Sequence, residues 1–170
     1  EAVNFVDLTY EIYGPQGVAL LVTVSTDNRN RTAADIRSIV TKGGGSIATP
    51  GSVSRLFQRK GQIIVSRAAA DEEALMELAL EAGAEDFKAE EQGFEIITAP
   101  GNFEAVHKKI EAGGIKYDVA EVTELPALSV PLSDDAAMVA VNQLIDALEE
   151  HDDVKEVYSN AEFPEEVAKT

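Results

Sequence analysis

At 170 residues the chain is long enough to bury a core unaided, as one ordinary domain or two small ones. It contains no cysteine, which excludes disulfides, thiolate zinc sites and cysteine nucleophiles. The net charge of −17 ordinarily opposes a polyanionic partner, no apolar run reaches membrane-spanning length, and Glu1–Phe5 lacks a signal-peptide pattern, so a cytosolic protein with no membrane partner is expected.

Leu8–Tyr13 and Val18–Thr26 are rich in β-branched and aromatic residues, and Gly14-Pro15-Gln16-Gly17 between them reads as a hairpin turn. Asp27-Asn28 breaks the strand. Thr32 followed by Asp35 has capping-box spacing, and Ala33, Ile36, Ile39 and Val40 line one face, predicting a helix over Thr32–Lys42 that Gly43-Gly44-Gly45 stops. Val53–Lys60 and Gln62–Arg67 read as strand material interrupted at Gly61. Helices over Asp71–Ala82 and Asn102–Ala112, each closed by glycine, alternate with strands Gln62–Arg67, Asp86–Ala89, Phe94–Ala99 and Tyr117–Leu125. The order βαββαβ is the ferredoxin-like arrangement. A Ser133-capped helix carrying Met138, Val141, Leu144, Ile145 and Leu148, and a strand Val154–Ser159, need a sheet to join. The economical fold is α+β with two domains: a discontinuous one over 1–60 and 127–170, and an inserted ferredoxin-like one over 61–126.

Charge is segregated along this chain. From Arg29 to Arg67, the cations Arg29, Arg31, Arg37, Lys42, Arg55, Arg59, Lys60 and Arg67 face the single acid Asp35, a balance of +7 that leaves −24 for the rest. Such segregation suits one face for a polyanion. It equally suits a patch that complements acidic helices of the same molecule.

Chemistry is otherwise sparse. His107 and His151 lack ligand spacing, His151 reading as a partner of a helix dipole, so no metal is expected. Asp71-Glu72-Glu73 and Asp134-Asp135 fall in first helical turns with no calcium-loop pattern. Gly43-Gly44-Gly45-Ser46 follows a helix and lacks a Gly-Lys-Ser/Thr completion, no nucleophile elbow occurs, and the Asn30-Arg31-Thr32 sequon has no secretory context. Neither a cofactor nor an enzymatic activity is expected.

The motifs Ser25-Thr26-Asp27-Asn28-Arg29-Asn30-Arg31-Thr32, Lys42-Gly43-Gly44-Gly45, Gly51-Ser52-Val53, Tyr10-Glu11-Ile12-Tyr13-Gly14-Pro15, Leu80-Glu81-Ala82-Gly83-Ala84-Glu85-Asp86 and Asp152-Asp153-Val154-Lys155-Glu156-Val157-Tyr158 together closely resemble the YebC family of gene-expression regulators. The resemblance spans the chain, with one departure at Ala48, where the family often has glycine. It implies three domains, the first a basic helical one that this chain lacks, and a role as a DNA-binding transcriptional regulator or as a ribosome-associated translational activator, including the type acting on mitochondrial cytochrome c oxidase. A bacterial cytoplasm, or an organellar matrix in a eukaryote, goes with it. No catalytic residues carry over.

Arg29 and Arg31, just ahead of the expected helix start, suit phosphate, since guanidinium forks and free backbone N–H groups converge there. Asn28 and Asn30 offer further hydrogen bonds, although turn and cap chemistry is the plainer role for Asn28. Lys42, Arg55, Arg59 and Lys60 form the flanks of this expected nucleic-acid surface. The alternative is a protein-interaction or small-ligand module built on the acidic ferredoxin-like domain, because fold does not fix function.

Overall fold

The computed structural model describes residues 4–163; the ends of the expected discontinuous domain, 1–3 and 164–170, lie outside the described residues. Helix and strand are both well represented, so the class is α+β. Two compact units divide the chain, one built from the described residues up to Phe57 together with those from Pro126 onward, the other from Gln58–Leu125.

In the first unit, alternation of apolar and polar residues lays down β1 (Val6–Tyr13), and an apolar run buried on both faces opens β2 (Ala19–Thr26), the two antiparallel in unbroken register from Val6↔Thr26 to Tyr13↔Ala19. β9 (Val154–Ser159) pairs antiparallel with the far side of β2, and a short β3 (Ser46–Ile47) covers only Ile12 and Tyr13 of β1. The sheet order is therefore β3-β1-β2-β9. α1 (Arg29–Lys42) and α4 (Asp135–Glu149) bury Ile36, Val40, Val141, Leu144 and Leu148 against Ile12, Leu20, Val22 and Val24. The other face of the sheet takes Val53 and Phe57 against Ala19 and Leu21, with Tyr13, Ala48, Leu56 and Tyr158 alongside. Near its end the chain returns through β8 (Val130–Pro131), parallel to β10 (Ala161–Glu162). Buried Asn160 secures that return: its side-chain carbonyl accepts the Ala19 N–H at 2.8 Å, and its own N–H donates to the Ala19 carbonyl at 3.1 Å.

Apart from the end residues Phe57 and Pro126, which belong to the first, the second unit runs β4 (Phe57–Ser66), α2 (Glu72–Ala82), β5 (Asp86–Ala89), β6 (Gly93–Thr98), α3 (Phe103–Ala112) and β7 (Val119–Pro126), with sheet order β5-β6-β4-β7. β6 is antiparallel to both β4 and β5. Ile63, Val65, Phe94 and Ile96 meet Leu75, Ala79, Val106 and Ile110 in its core. Asp71 caps α2, its carboxylate accepting the Ala74 N–H at 3.1 Å.

Four local expectations are corrected. α1 starts at Arg29, not at Thr32. Residues 53–60 are not one strand, because Ser54–Leu56 is a 3-10 turn and β4 begins at Phe57. That strand then passes through Gly61 without interruption, pairing Gly61 with Thr98; glycine stands there because a Cβ would strike the Thr98 hydroxyl and come within 2.8 Å of the Phe103 ring. The residue flanking α4 is Asp134, one beyond the expected Ser133. Among the described residues no helix is long and apolar enough to cross a membrane.

Candidate nucleic-acid interface

The N-terminus of α1 is built by Asn28, whose extended backbone (φ −146°, ψ 90°) turns its side-chain oxygen onto the Arg31 N–H at 3.0 Å. Asn28 is thereby committed to capping. Arg29, Asn30 and Arg31 occupy the first helical turn instead of preceding it. Thr32, expected as the cap, is fully buried. Its hydroxyl donates to Asp153 Oδ2 at 2.7 Å and stands 2.7 Å from Thr26 Oγ1, which accepts the Asn28 N–H at 2.9 Å. Arg31 donates to the same Asp153 oxygen at 2.9 Å and reaches Asp27 at 3.4 Å. The Thr32 hydroxyl and the Arg31 guanidinium outweigh partial burial and hold the Asp153 carboxyl below its ordinary pKa. His151 completes the cluster: its Nδ1 accepts the Asp153 N–H at 3.1 Å, so Nε2 carries the proton and donates to Asp35 Oδ2 at 2.9 Å. Asp35, the one acid of the basic stretch, is thus engaged by a histidine.

The eight cations of the stretch divide between the two units. Arg59 pairs with Glu124 at 3.6 Å and Lys60 with both carboxylate oxygens of Glu85, all within the second unit. Arg67, also there, lies 5.0 Å over the Phe94 ring and 3.5 Å from Glu72. In the first unit, Arg29, Arg37, Lys42 and Arg55 are exposed and make no ion pair with any described residue. Arg29, Ala33 and Arg37 follow one another at four-residue spacing, so the two arginines share a flank of α1. Both act on Tyr10 of β1: partial burial pushes its phenol pKa up, and Arg29 and Arg37 draw it part of the way back. Arg55 sits in the Ser54–Leu56 turn. Lys42 rims a groove of about 520 Å³ with Ile39, Gly43, Gly44, Ala140, Gln143, Leu144 and Ala147.

Arg37 and Tyr10 were not singled out from sequence, although the Arg-x3-Ala-x3-Arg spacing signals the shared stripe. Glu11 was also missed. Its carboxylate accepts the N–H groups of Gly51 (2.8 Å to Oε2), Val53 and Ser54 (2.8 Å each to Oε1), tying the loop that carries Arg55 to β1. Partial burial pushes the Glu11 pKa up, but those amides outweigh it and hold the carboxyl below its ordinary value. Ala48, the departure from the family pattern, donates its N–H to the Glu11 carbonyl at 2.8 Å in this same loop. Among the described residues no group of three or more His, Cys, Asp or Glu is placed to hold a metal.

A family model described as the second and third domain of TACO1/YebC matches residues 5–161. The chain is 48% identical over 167 residues to a "Probable transcriptional regulatory protein" of Clostridium tetani, covering 98% of this chain and 68% of that protein. It is 42% identical over 167 residues to a protein of the same description from Elusimicrobium minutum, covering 98% of this chain and 67% of the other. The crystal structure of a conserved hypothetical protein from Aquifex aeolicus superposes with a TM-score of 0.81 at 40% identity, over 100% of this chain and 70% of that one.

Proposed function

Because this chain belongs to the TACO1/YebC family, we propose that it is a non-enzymatic regulator of gene expression that binds nucleic acid through the first unit. The names of its relatives as transcriptional regulatory proteins support the role. One observation carries the choice of surface: of the eight cations between Arg29 and Arg67, those left without a carboxylate partner among the described residues, Arg29, Arg37, Lys42 and Arg55, all lie in that unit. Unpaired arginines are free to neutralise phosphates and release their counterions, whereas a paired one must first lose its carboxylate. Arg29 and Asn30 add free backbone N–H groups of the first helical turn. Arg31, Arg59 and Lys60 contribute less, being paired, and Asn28 serves by holding the helix start.

The two compact units are read as two domains, one discontinuous and one inserted. The order β4-α2-β5-β6-α3-β7 with sheet order β5-β6-β4-β7 supports a ferredoxin-like arrangement for the second. The target is a promoter if the protein acts in transcription, and ribosomal or messenger RNA if it activates translation from the ribosome. Crosslinking the full-length protein in cells and sequencing the bound nucleic acid tests this. Enriched promoter fragments or enriched RNA identify the branch; recovery of neither above a mock control defeats the proposal.

A further inference from the structure

The second unit carries an acidic face with an apolar centre that nothing in the nucleic-acid reading uses. Its residues 58–125 hold fifteen acids against seven lysines and arginines. No Lys or Arg occurs between Asp71 and Phe87, a span that includes all of α2. That helix buries Leu75 and Ala79 against the sheet, which turns Met76 and Leu80, one turn apart, outward. They are 38% and 50% exposed, large values for apolar side chains in a unit whose core residues are fully covered. Glu73, Glu77 and Glu81 surround the pair and, with it, line a shallow groove of about 460 Å³. Among the described residues none of these three glutamates makes an ion pair, whereas Glu72, on the same helix, is paired with Arg67. The groove is therefore apolar along its floor and carries uncompensated negative charge along its rim.

We propose that this face of α2 docks a basic amphipathic protein helix. Its apolar stripe would lie over Met76 and Leu80, and its Lys or Arg side chains would meet Glu73, Glu77 and Glu81. Charge selects the partner: three unpaired carboxylates in one groove repel nucleic acid and an acidic copy of this chain, and attract cations flanking an apolar stripe. Met76 supplies a side chain that adapts to differing partners. A patch of two turns is far smaller than a standard stable interface, so the contact is transient and of micromolar strength.

The test uses the whole chain and two designed helical peptides with the same Leu stripe, one flanked by Lys and the other by Glu, with binding read by fluorescence anisotropy. The Lys peptide is expected to bind with a micromolar Kd, at least tenfold more tightly than the Glu peptide. The double variant Met76→Ser/Leu80→Ser should weaken it at least tenfold, while Leu128→Ser/Val139→Ser, which removes exposed apolar residues of the first unit, leaves it unchanged. Equal binding of both peptides, no binding of either, or indifference to Met76→Ser/Leu80→Ser overturns the proposal. So does sedimentation showing that the chain self-associates through Met76 and Leu80. Circular dichroism of each variant confirms that these exposed substitutions leave the fold intact.

Discussion

Glu11 shows how one side chain decides what a motif is for. In sequence, Tyr10-Glu11-Ile12-Tyr13-Gly14-Pro15 and Gly51-Ser52-Val53 are separate signatures; in the fold the Glu11 carboxylate accepts three N–H groups of the second, and the two become one latch. Glu11→Ala leaves those amides without their acceptor and should cost about 1–3 kcal/mol, read by denaturant unfolding. The same substitution should release hydrogen-exchange protection at Gly51, Val53 and Ser54 first. Because the folded Glu11 pKa lies below the ordinary value of 4.5, its stabilisation is complete above that value and lost as pH falls through the lower, folded one. Acidification should therefore free the Arg55 loop, and Glu11→Gln should remove that pH dependence. Asp153 follows the same sign, its contacts with Thr32 and Arg31 weakening as it protonates. Asp153→Ala should cost about 1.5–3 kcal/mol, the range for a hydrogen-bonded charged group, checked by the same unfolding measurement. None of these partners was legible from spacing, since Glu11 meets its amides forty and more residues away and Asp153 meets Thr32 across 121.

At the scale of elements, period carried much of the information. The hairpin, the glycine-stopped helices and the apolar faces of α1, α2 and α4 follow from alternation and from the three-and-four spacing of residues such as Val141, Leu144 and Leu148. The misreadings fall where tertiary contact overrides local signals. Thr32 looked like a cap but is recruited into a buried hydroxyl cluster, which hands capping to Asn28 and moves Arg29 and Arg31 into the helix. Gly61 looked like a breaker but is the place where β4 passes close under Thr98 and Phe103. β8 and β10 are two residues each and depend on Asn160, a contact no local pattern reveals. Leu144, 1% exposed, packs where α4 crosses the glycine-rich end of α1. Leu144→Ala should destabilise the protein by about 2–5 kcal/mol, measured as a shift in the unfolding midpoint.

For the whole molecule, the contrast of a +7 stretch with a −24 remainder was visible in sequence, but its distribution was not. Half of those cations are neutralised by neighbours that only the fold brings near: Arg31 by Asp153, Arg59 by Glu124, Lys60 by Glu85 and Arg67 by Glu72. What is left for an external polyanion is a smaller set in the first unit, led by Arg29 and Arg37 on one flank of α1. The second unit, acidic and bearing Met76 and Leu80, suits a different class of partner. The most direct measurement of the central claim is the dependence of nucleic-acid affinity on salt, for the full-length protein with Arg29→Ala/Arg37→Ala and with Arg59→Ala/Lys60→Ala. Each lost phosphate contact lowers the slope of log K against log salt by roughly 0.7–0.9. The first variant should lose roughly 1.4–1.8 in slope, and the second should keep the wild-type slope. Equal slopes for the first variant and wild type, or a loss confined to the second, would contradict the assignment of the interface to the first unit.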